Sequence, residues 1–301
     1  MNFILIGDLH FSLTSSSSRL DNITLEFEER FEKLKEIIKE HKVEAVICTG
    51  DIFNTPYQSA KTIFELSELI QSLEVPFITI IGNHDEIGYR LEGWHTSTSL
   101  GLLSAITSNL KVPEGLIWLS GVHITGSHYV PGIDEKNEEG VYIHYIPQVH
   151  NGFHLHIVHG YMVDGTLPFH TVKTTEIANT PADFILAGHY HQPVYNTIGE
   201  KTFYNPGSFA NLTHDDKDRV CEVGLLMVRG DQHTLKRIAV PYGKAEWVIK
   251  TTSNFKATTS TLEQVEVKKT DSIALISEVA KTKEIQKLTV ERYWEAGNEQ
   301  E

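Results

Sequence analysis

The sequence predicts an α/β fold in which two β-sheets pack on each other, and three observations support this. The first half alternates short apolar runs with amphipathic segments, in the β-α-β-α-β order that builds parallel strands with crossover helices. From about residue 117 the strand-like runs follow one another more closely, which favours a second sheet. Five short polar motifs each follow an apolar run, and ligands bind beyond the carboxyl ends of strands in such sheets.

The first half contains three predicted strands, at residues 3–6, 45–48 and 77–81, each a short apolar run. Apolar side chains at helical spacing over residues 25–38 predict a helix between the first two strands, ending near residue 41. A second helix is expected to begin at residues 55–56, where threonine precedes proline, and to end before Val75-Pro76.

The second half is rich in strand signals. Residues 122–125 and 154–158 alternate or run apolar, and residues 194–204 surround a Gly199-Glu200 turn. Residues 221–228 and 234–240 flank a short polar turn and predict a hairpin. We therefore expect one large domain over residues 1–250.

The remaining residues, 251–301, differ in composition. A Thr/Ser-rich linker is predicted at residues 251–261, followed by a helix from near Asp271 with an uneven apolar stripe. This helix could dock on a partner or pack on the protein's own sheet.

Composition narrows the classes of function. The 301 residues are 40% hydrophobic, which supports a sizeable core, and the formal net charge of −14 argues against nonspecific nucleic-acid binding through a basic surface. Two cysteines are too few for a disulfide framework. No basic segment precedes the first strand, and no run approaches the roughly 20 apolar residues that span a bilayer. A soluble cytoplasmic protein without membrane contact is expected.

Five motifs carry the chemistry, and each alone is a weak signal. They are Asp8-Leu9-His10, Gly50-Asp51, Gly82-Asn83-His84-Asp85, His159-Gly160 and Gly188-His189-Tyr190-His191. Together they offer oxygen and imidazole ligands without thiolate, a set that suits Mn, Fe, Zn or Mg. A carboxylate such as Asp51 can bridge two cations roughly 3.5–4 Å apart, as two-metal hydrolases require. The combination therefore predicts a metal-dependent hydrolase.

The order and spacing of these motifs resemble the calcineurin-like metallophosphoesterase superfamily over roughly residues 1–210. Within it the chain looks most like the SbcD-type nuclease subunits of double-strand-break repair, on the residues Gly50-Asp51-Ile52-Phe53, residues 187–193 and residues 204–208. The resemblance implies the metallophosphoesterase fold, a four-layer α-β-β-α sandwich of two mixed sheets with a short C-terminal helical appendage.

The resemblance also implies two ligand sets that share one carboxylate. They are Asp8, His10, Asp51 and His191 for one cation, and Asp51, Asn83, His159 and His189 for the other. His84 corresponds to the family's catalytic histidine, with a role in stabilising or protonating the leaving oxygen. Asp85 is expected to orient His84 through a hydrogen bond. Mn²⁺ is the favoured metal on family grounds, with Mg²⁺, Fe or Zn²⁺ as alternatives.

The implied function is a DNA exonuclease or endonuclease of repair and recombination. Its implied partners are DNA, an SbcC-like ATPase of the SMC class and a second copy in a homodimer. Two features depart from the pattern. Asn54 stands where many SbcD-like nucleases carry a histidine tied to handling of DNA ends, and only about sixty residues follow the second sheet.

Two other functions stay open. A stand-alone phosphatase or phosphodiesterase acting on nucleotides or phosphoproteins would suit the acidic charge, and a scaffold without metal is the third reading. The complete ligand set argues against the scaffold.

Two further residues of interest lie outside the motifs. His128 follows an apolar run and could contact substrate, although a structural role is favoured. Trp94 is expected to pack in the core.

Overall fold

The computed structural model describes residues 1–88, 90–148, 151–165, 167–168 and 170–248. The predicted linker and C-terminal helix lie outside the described residues.

In the described part, twelve strands form two six-stranded sheets. In chain order the strands are β1 (Asn2–Ile6), β2 (Ala45–Cys48), β3 (Phe77–Thr79), β4 (Leu110–Lys111), β5 (Ile117–Leu119), β6 (Val122–Ser127), β7 (His154–Val158), β8 (Phe184–Ala187), β9 (Val194–Ile198), β10 (Lys201–Asn205), β11 (Glu222–Arg229) and β12 (Gln232–Ala239).

The two sheets have similar topologies. The first has the order β12-β11-β1-β2-β3-β4, in which β1 to β4 run parallel and the β11–β12 hairpin adds antiparallel to β1. The second has the order β5-β6-β7-β8-β10-β9, with four parallel strands flanked by antiparallel β5 and β9. The prediction of two mixed sheets is confirmed, and the β9–β10 and β11–β12 hairpins lie at the predicted residues. The β11–β12 hairpin was expected in the second sheet, but it joins the first because β11 pairs with β1.

The sheets pack face to face through alternating side chains. On β1, Phe3 and Leu5 point to the core between the sheets, whereas Ile4 and Ile6 belong to the core beneath the helices. Leu155 and Ile157 of β7 meet the first group from the opposite sheet. Because successive side chains of a strand alternate in direction, both faces of β1 are buried.

Helices cover the outer face of the first sheet, and four α-helices lie in the described residues. Phe27, Phe31 and Leu34 form the buried stripe of the longest, as their helical spacing predicts. The four helices are α1 (Ile23–His41), α2 (Ala60–Gln71), α3 (Trp94–Ser97) and α4 (Ser99–Ile106).

The predicted start of the second helix at residues 55–56 is wrong. The helix α2 begins at Ala60, where the Ser59 hydroxyl accepts a hydrogen bond from the backbone N–H of Thr62 at 3.1 Å. Thr55 instead donates its hydroxyl hydrogen to the carbonyl of Tyr57, at 2.9 Å, within a turn. A threonine followed by proline is common both at the start of a helix and in a turn. The sequence pattern therefore could not distinguish these two structures.

A fourth layer covers the outer face of the second sheet. In the described residues it consists of loops and two short 3₁₀ turns, Ile143–Tyr145 and Thr174–Glu176. Tyr145 of the first turn and Ile177, which follows the second, belong to the same apolar cluster as Val158, Ile185 and Phe203. A third 3₁₀ turn, His214–Asp216, follows β10. The predicted α/β architecture of two packed mixed sheets is confirmed, and in the described residues loops and 3₁₀ turns stand where the outermost α-helical layer was expected.

Two residues outside the motifs, His128 and Trp94, contribute to the structure and not to the site. His128 accepts a hydrogen bond at Nδ1 from the backbone N–H of Ile81, at 3.0 Å, which ties the end of β6 to the segment after β3. Trp94 packs in the core beneath the helices, as expected. Among the described residues no helix has the length and apolar character needed to cross a membrane.

Candidate metal centre

The five motifs meet at one end of the two sheets. Each follows the carboxyl end of a parallel strand, which explains why residues distant in sequence become neighbours. Asp8 and His10 follow β1, Asp51 follows β2, Asn83 to Asp85 follow β3, His159 follows β7, and His189 and His191 follow β8.

Asp8, His10 and His191 form the first group of potential ligands. The Nε2 atoms of His10 and His191 lie 3.0 Å apart, and His191 Nε2 lies 3.7 Å from Asp8 Oδ2. Asp8 and His10 are buried and His191 is partly exposed, so the group opens to solvent on one side.

Asp51, His159 and His189 form the second group. The Nε2 atom of His159 lies 3.4 Å from Asp51 Oδ2 and 3.1 Å from the amide oxygen of Asn83. The four residues that the family resemblance implies for the second cation therefore lie together.

Asp51 lies between the two groups. Its Oδ2 atom is 3.5 Å from His10 Nε2 and 3.4 Å from His159 Nε2, yet it is buried without a hydrogen-bond donor. Its other oxygen, Oδ1, accepts the backbone N–H of His84 at 2.9 Å. A buried carboxylate oxygen without a partner is costly, and a cation on each side would satisfy it. The donor set therefore fits two divalent cations bridged by Asp51.

Three of the potential ligands have a strained backbone. His10, Asp51 and His189 have φ values of 48°, 45° and 67°, and they are half of the six non-glycine residues with positive φ in the described chain. Such residues cost about 1–3 kcal/mol each and concentrate at functional sites. These three residues lie in the loops that follow β1, β2 and β8, where the two groups of potential ligands meet.

Two glycines allow the motifs to approach each other closely. A Cβ atom at Gly82 would collide with the Oδ1 atom of Asp51, and one at Gly188 would collide with Oδ1 of Asp8 and with Thr49. The glycines of these motifs are therefore required by close packing against the carboxylates.

Thr49 orients ligands of both groups. Its hydroxyl donates to Asp8 Oδ1 at 2.6 Å, and its carbonyl accepts a hydrogen bond from Nδ1 of His159 at 2.8 Å. The backbone N–H of His189 donates to the other Asp8 oxygen at 2.7 Å. Because Nδ1 of His159 holds a hydrogen, its Nε2 is the atom left for a metal.

The prediction that Asp85 forms a hydrogen bond with the His84 side chain is wrong. The carboxylate of Asp85 accepts backbone N–H groups of Ile52, Phe53 and Gly82, at 2.9, 3.2 and 3.0 Å. These donors saturate a carboxylate that is 1% exposed. The Nδ1 atom of His84 instead donates to the carbonyl oxygen of Asn54, at 2.8 Å. Asp85 thus joins the segments after β2 and β3, and a catalytic role for it stays a prediction.

The family assignment rests on the length of the sequence match. Residues 1–231 match the calcineurin-like phosphoesterase superfamily domain. The chain belongs to this superfamily. Its two ligand groups fit the dinuclear centre of a metallophosphoesterase, and the protein is a metallophosphoesterase-type hydrolase.

Solved structures that match this metallophosphoesterase share little sequence with it. An archaeal phosphodiesterase has 16% identity and a TM-score of 0.42, with 80% of this chain and 100% of that chain covered. Protein TT1561 of Thermus thermophilus has 10% identity and a TM-score of 0.46, with coverage of 78% and 97%. Vps29 of Entamoeba histolytica has 16% identity and a TM-score of 0.39, with coverage of 80% and 99%. The comparison with curated proteins gives no match.

Burial and neighbouring charges set the protonation of the ligands. Burial lowers the pKa of His10 and of His189 to about 3, so both imidazoles are neutral and able to bind a metal at neutral pH. Burial also opposes the charge of His159, but the carboxylates of Asp51 and Asp8 outweigh it and raise the pKa of His159 to about 10. The two carboxylates thus favour positive charge at this position, which a divalent ion would supply.

A cleft of about 350 Å³ opens above the ligands of this metallophosphoesterase. It is lined by Asp51, His84, Tyr161, His189, Tyr190, His191 and Gln192. His84 is exposed there, with its ring centroid 5.1 Å from that of His10. His84 therefore lies beside the cleft without belonging to either group of potential ligands.

The sequence analysis missed several residues of the site. The sequence did not indicate Thr49, the carbonyl of Asn54 or the two tyrosines that flank His189. The ring centroids of these tyrosines, Tyr161 and Tyr129, lie 4.0 and 5.5 Å from that of His189. Tyr161 directly follows His159-Gly160 and Thr49 directly precedes Gly50-Asp51, so proximity to a motif was the available signal.

Proposed function

We propose that this metallophosphoesterase hydrolyses DNA phosphodiester bonds, as the nuclease subunit of an SbcC–SbcD-type complex. The observation that supports phosphodiester hydrolysis is the buried Asp51 Oδ2 atom between two complete ligand groups. The motif resemblance supports DNA as the substrate. When bound, two divalent cations would stabilise the charge that develops on the phosphoryl oxygens; Mn²⁺ is the proposed metal.

His84 supplies the proton in the proposed reaction. Its Nδ1 hydrogen is directed to the Asn54 carbonyl, so Nε2 is the atom that can face a bound phosphodiester in the cleft. Water attacks phosphorus, the bond from phosphorus to the 3′ oxygen breaks, and that oxygen takes the proton of Nε2 from the imidazolium. The proton of the attacking water passes to solvent. The Asn54 carbonyl accepts the hydrogen of Nδ1 and so fixes the orientation of the ring.

Asn54 bears on the type of nuclease. Its side chain is exposed, and its main-chain oxygen accepts the hydrogen bond from His84. If the residue at this position handles DNA ends, as the resemblance implies, the asparagine favours cleavage of the phosphodiester bond over strong exonuclease action on duplex ends. We expect Asn54→His to raise activity on linear duplex DNA and to leave hydrolysis of small diesters unchanged.

The proposed partners are DNA, an SbcC-like SMC-type ATPase and a second copy of the chain. Exposed apolar side chains on adjacent helices support the homodimer. Phe64 on α2 is 58% exposed, and Leu102 and Ile106 on α4 are 48% and 44% exposed. Burial of such a surface in a dimer would remove it from water. Sedimentation of the wild type and of Phe64→Glu tests this, since a dimer should dissociate in the variant.

The experiment that tests the function is a Mn²⁺-dependent assay on three substrates. They are linear duplex DNA, circular single-stranded DNA and bis(p-nitrophenyl) phosphate, each with wild type and His84→Ala. We expect wild type to cleave at least one DNA substrate and His84→Ala to lose that cleavage. Activity on the small diester alone would contradict the nuclease proposal.

A stand-alone phosphodiesterase is the second candidate, supported by the net charge of −14. A negatively charged protein repels long polyanions unless its partner or a local groove supplies positive charge. Activity confined to small diesters, unchanged by salt, is the result expected for this candidate.

A further inference from the structure

Two tyrosines line the cleft beside the proposed catalytic histidine. Tyr161 and Tyr190 share the cleft of about 350 Å³ with His84 and with the ligands His189 and His191. Both tyrosines are partly buried, so part of each side chain is accessible to a bound molecule. Neither belongs to the two ligand groups. The volume lies within the roughly 300–1,000 Å³ of sites that enclose small organic molecules, which leaves room for more than a phosphate.

The main chain of Tyr161 is held on both sides. Its N–H donates to the two carboxylate oxygens of Asp134, at 3.0 and 3.1 Å, and its carbonyl accepts the N–H of Val172 at 2.8 Å. Asp134 is itself fixed by the hydroxyl of Tyr145, at 2.5 Å. A side chain on such a support needs little ordering when a ligand binds, which favours a recognition role.

The ring of Tyr161 lies next to the metal centre. Its centroid is 4.0 Å from that of His189, with an angle of 54° between the planes. His189 is a ligand of the second group, where a substrate phosphate would bind. An organic group attached to that phosphate would therefore lie within reach of the tyrosine ring.

We infer that Tyr161, together with Tyr190, stacks on a nucleobase of the substrate and so selects nucleoside phosphodiesters over diesters of small alcohols. This inference rests on the proposed phosphodiesterase function. Every base has a π-face, so stacking selects bases without reading their order. Such selection suits an enzyme that cleaves a nucleic-acid backbone with little sequence preference.

The test compares esters that release the same chromophore. The substrates are the 3′ and 5′ p-nitrophenyl phosphates of thymidine and methyl p-nitrophenyl phosphate, assayed with Mn²⁺. The variants are Tyr161→Leu, Tyr161→Phe and the matched control Tyr195→Leu, which changes a tyrosine of β9 that is 48% exposed. Bound Mn²⁺ and the unfolding midpoint are measured for each protein.

We expect Tyr161→Leu to lower kcat/KM for the preferred thymidine ester about tenfold, mainly through KM, and to leave the methyl ester within about twofold. Tyr161→Phe, which keeps the ring, and Tyr195→Leu should retain the wild-type preference. Equal losses on both kinds of ester, or a loss of bound Mn²⁺ in Tyr161→Leu, would show that the ring only supports His189 and would overturn the inference.

The wild type alone provides a second test that does not depend on the folding of any variant. Wild-type enzyme that hydrolyses the methyl ester as efficiently as both thymidine esters would overturn the stacking inference while the phosphodiesterase function stands. Wild-type enzyme that loads Mn²⁺ and hydrolyses none of the esters or DNA would overturn the proposed function and this inference with it.

Discussion

The Nδ1 atom of His84 lies 2.8 Å from the carbonyl oxygen of Asn54. A carbonyl can only accept, so Nδ1 carries the hydrogen and Nε2 is the atom available to substrate. This contact links the segment after β3, which carries His84, to the segment after β2. It also means that the side chain at position 54 is not needed to orient the histidine.

Replacement of His84 should separate catalysis from metal binding. We expect His84→Ala to lower turnover of a phosphodiester by about 10²–10⁴-fold, the usual contribution of a positioned acid or base, with bound Mn²⁺ unchanged. Asn54→Ala is the matched control, since it keeps the carbonyl, and it should retain turnover within a few fold. Steady-state kinetics and metal analysis of the two variants check this. Comparable losses in both would show that the Asn54 side chain matters.

Replacement of Asp85 should act mainly on stability. Asp85→Ala removes the acceptor for buried N–H groups of Gly82, Ile52 and Phe53. Each unsatisfied group costs about 1–3 kcal/mol, so we expect the free energy of unfolding to fall by roughly 3 kcal/mol or more. Urea denaturation measures this, with Asp231→Ala in the exposed β11–β12 turn as the control. A variant with wild-type stability and reduced turnover alone would favour direct action of Asp85 on His84.

Gly82→Ala should disturb the metal centre through Asp51. The added Cβ would collide with the Asp51 carboxylate, and the backbone N–H of Asp51 lies close as well. Because interiors are closely packed, the carboxylate must move, and we expect Mn²⁺ affinity to fall by at least tenfold. Gly115→Ala is the control, since a Cβ there meets nothing within 4 Å. Calorimetric titration of Mn²⁺ into both variants measures the two affinities. Equal affinities would show that the Asp51 carboxylate does not need the space at Gly82.

His156 should make the metal-free protein sensitive to acid. It is 3% exposed on β7, and burial lowers its pKa from 6.5 to about 4. Above pH 6.5 both the folded and the unfolded states hold the neutral ring; as the pH falls from 6.5 to 4, the unfolded state gains a proton that the folded state refuses. Stability is therefore lost over this range, by up to about 3 kcal/mol.

The comparison of wild type with His156→Gln isolates this effect. Both proteins are unfolded with urea in the presence of a chelator, at pH values from 7.5 down to 4.5. The midpoint urea concentration should fall less steeply with decreasing pH in the variant than in the wild type. Other buried histidines titrate equally in both proteins, so the difference reports on His156. Parallel curves would show that the contacts of His156 with Thr125 and the carbonyl of His144 leave its protonation unaffected.

The sequence predicted most of the strands and the convergence of the polar motifs because both depend on local patterns, whereas the assignment of ligands came from the family resemblance. Apolar runs such as Phe184–Ala187 became buried strands, and polar motifs at their carboxyl ends converged, as the geometry of parallel strands requires. Whether the assigned ligands hold metal stays a prediction, although the structure brings them together.

Other features could not be predicted because they depend on contacts between distant segments. Asp85 follows His84 in sequence, yet its oxygens meet backbone N–H groups of Ile52 and Phe53, more than thirty residues away. Backbone donors leave no mark in a sequence pattern. Tyr161 reaches His189 for the same reason, and Ser59 replaced Thr55 as the helix cap because the local turn competed for the threonine hydroxyl.

The central claim is that Asp51 bridges two cations, and the most direct test is the number of Mn²⁺ ions bound per chain. Equilibrium dialysis followed by elemental analysis should find two ions in the wild type. It should find at most one in Asp51→Asn, whose amide removes the shared negative charge while keeping the side-chain shape. Two tightly bound ions in Asp51→Asn, or none in the wild type, would contradict the account.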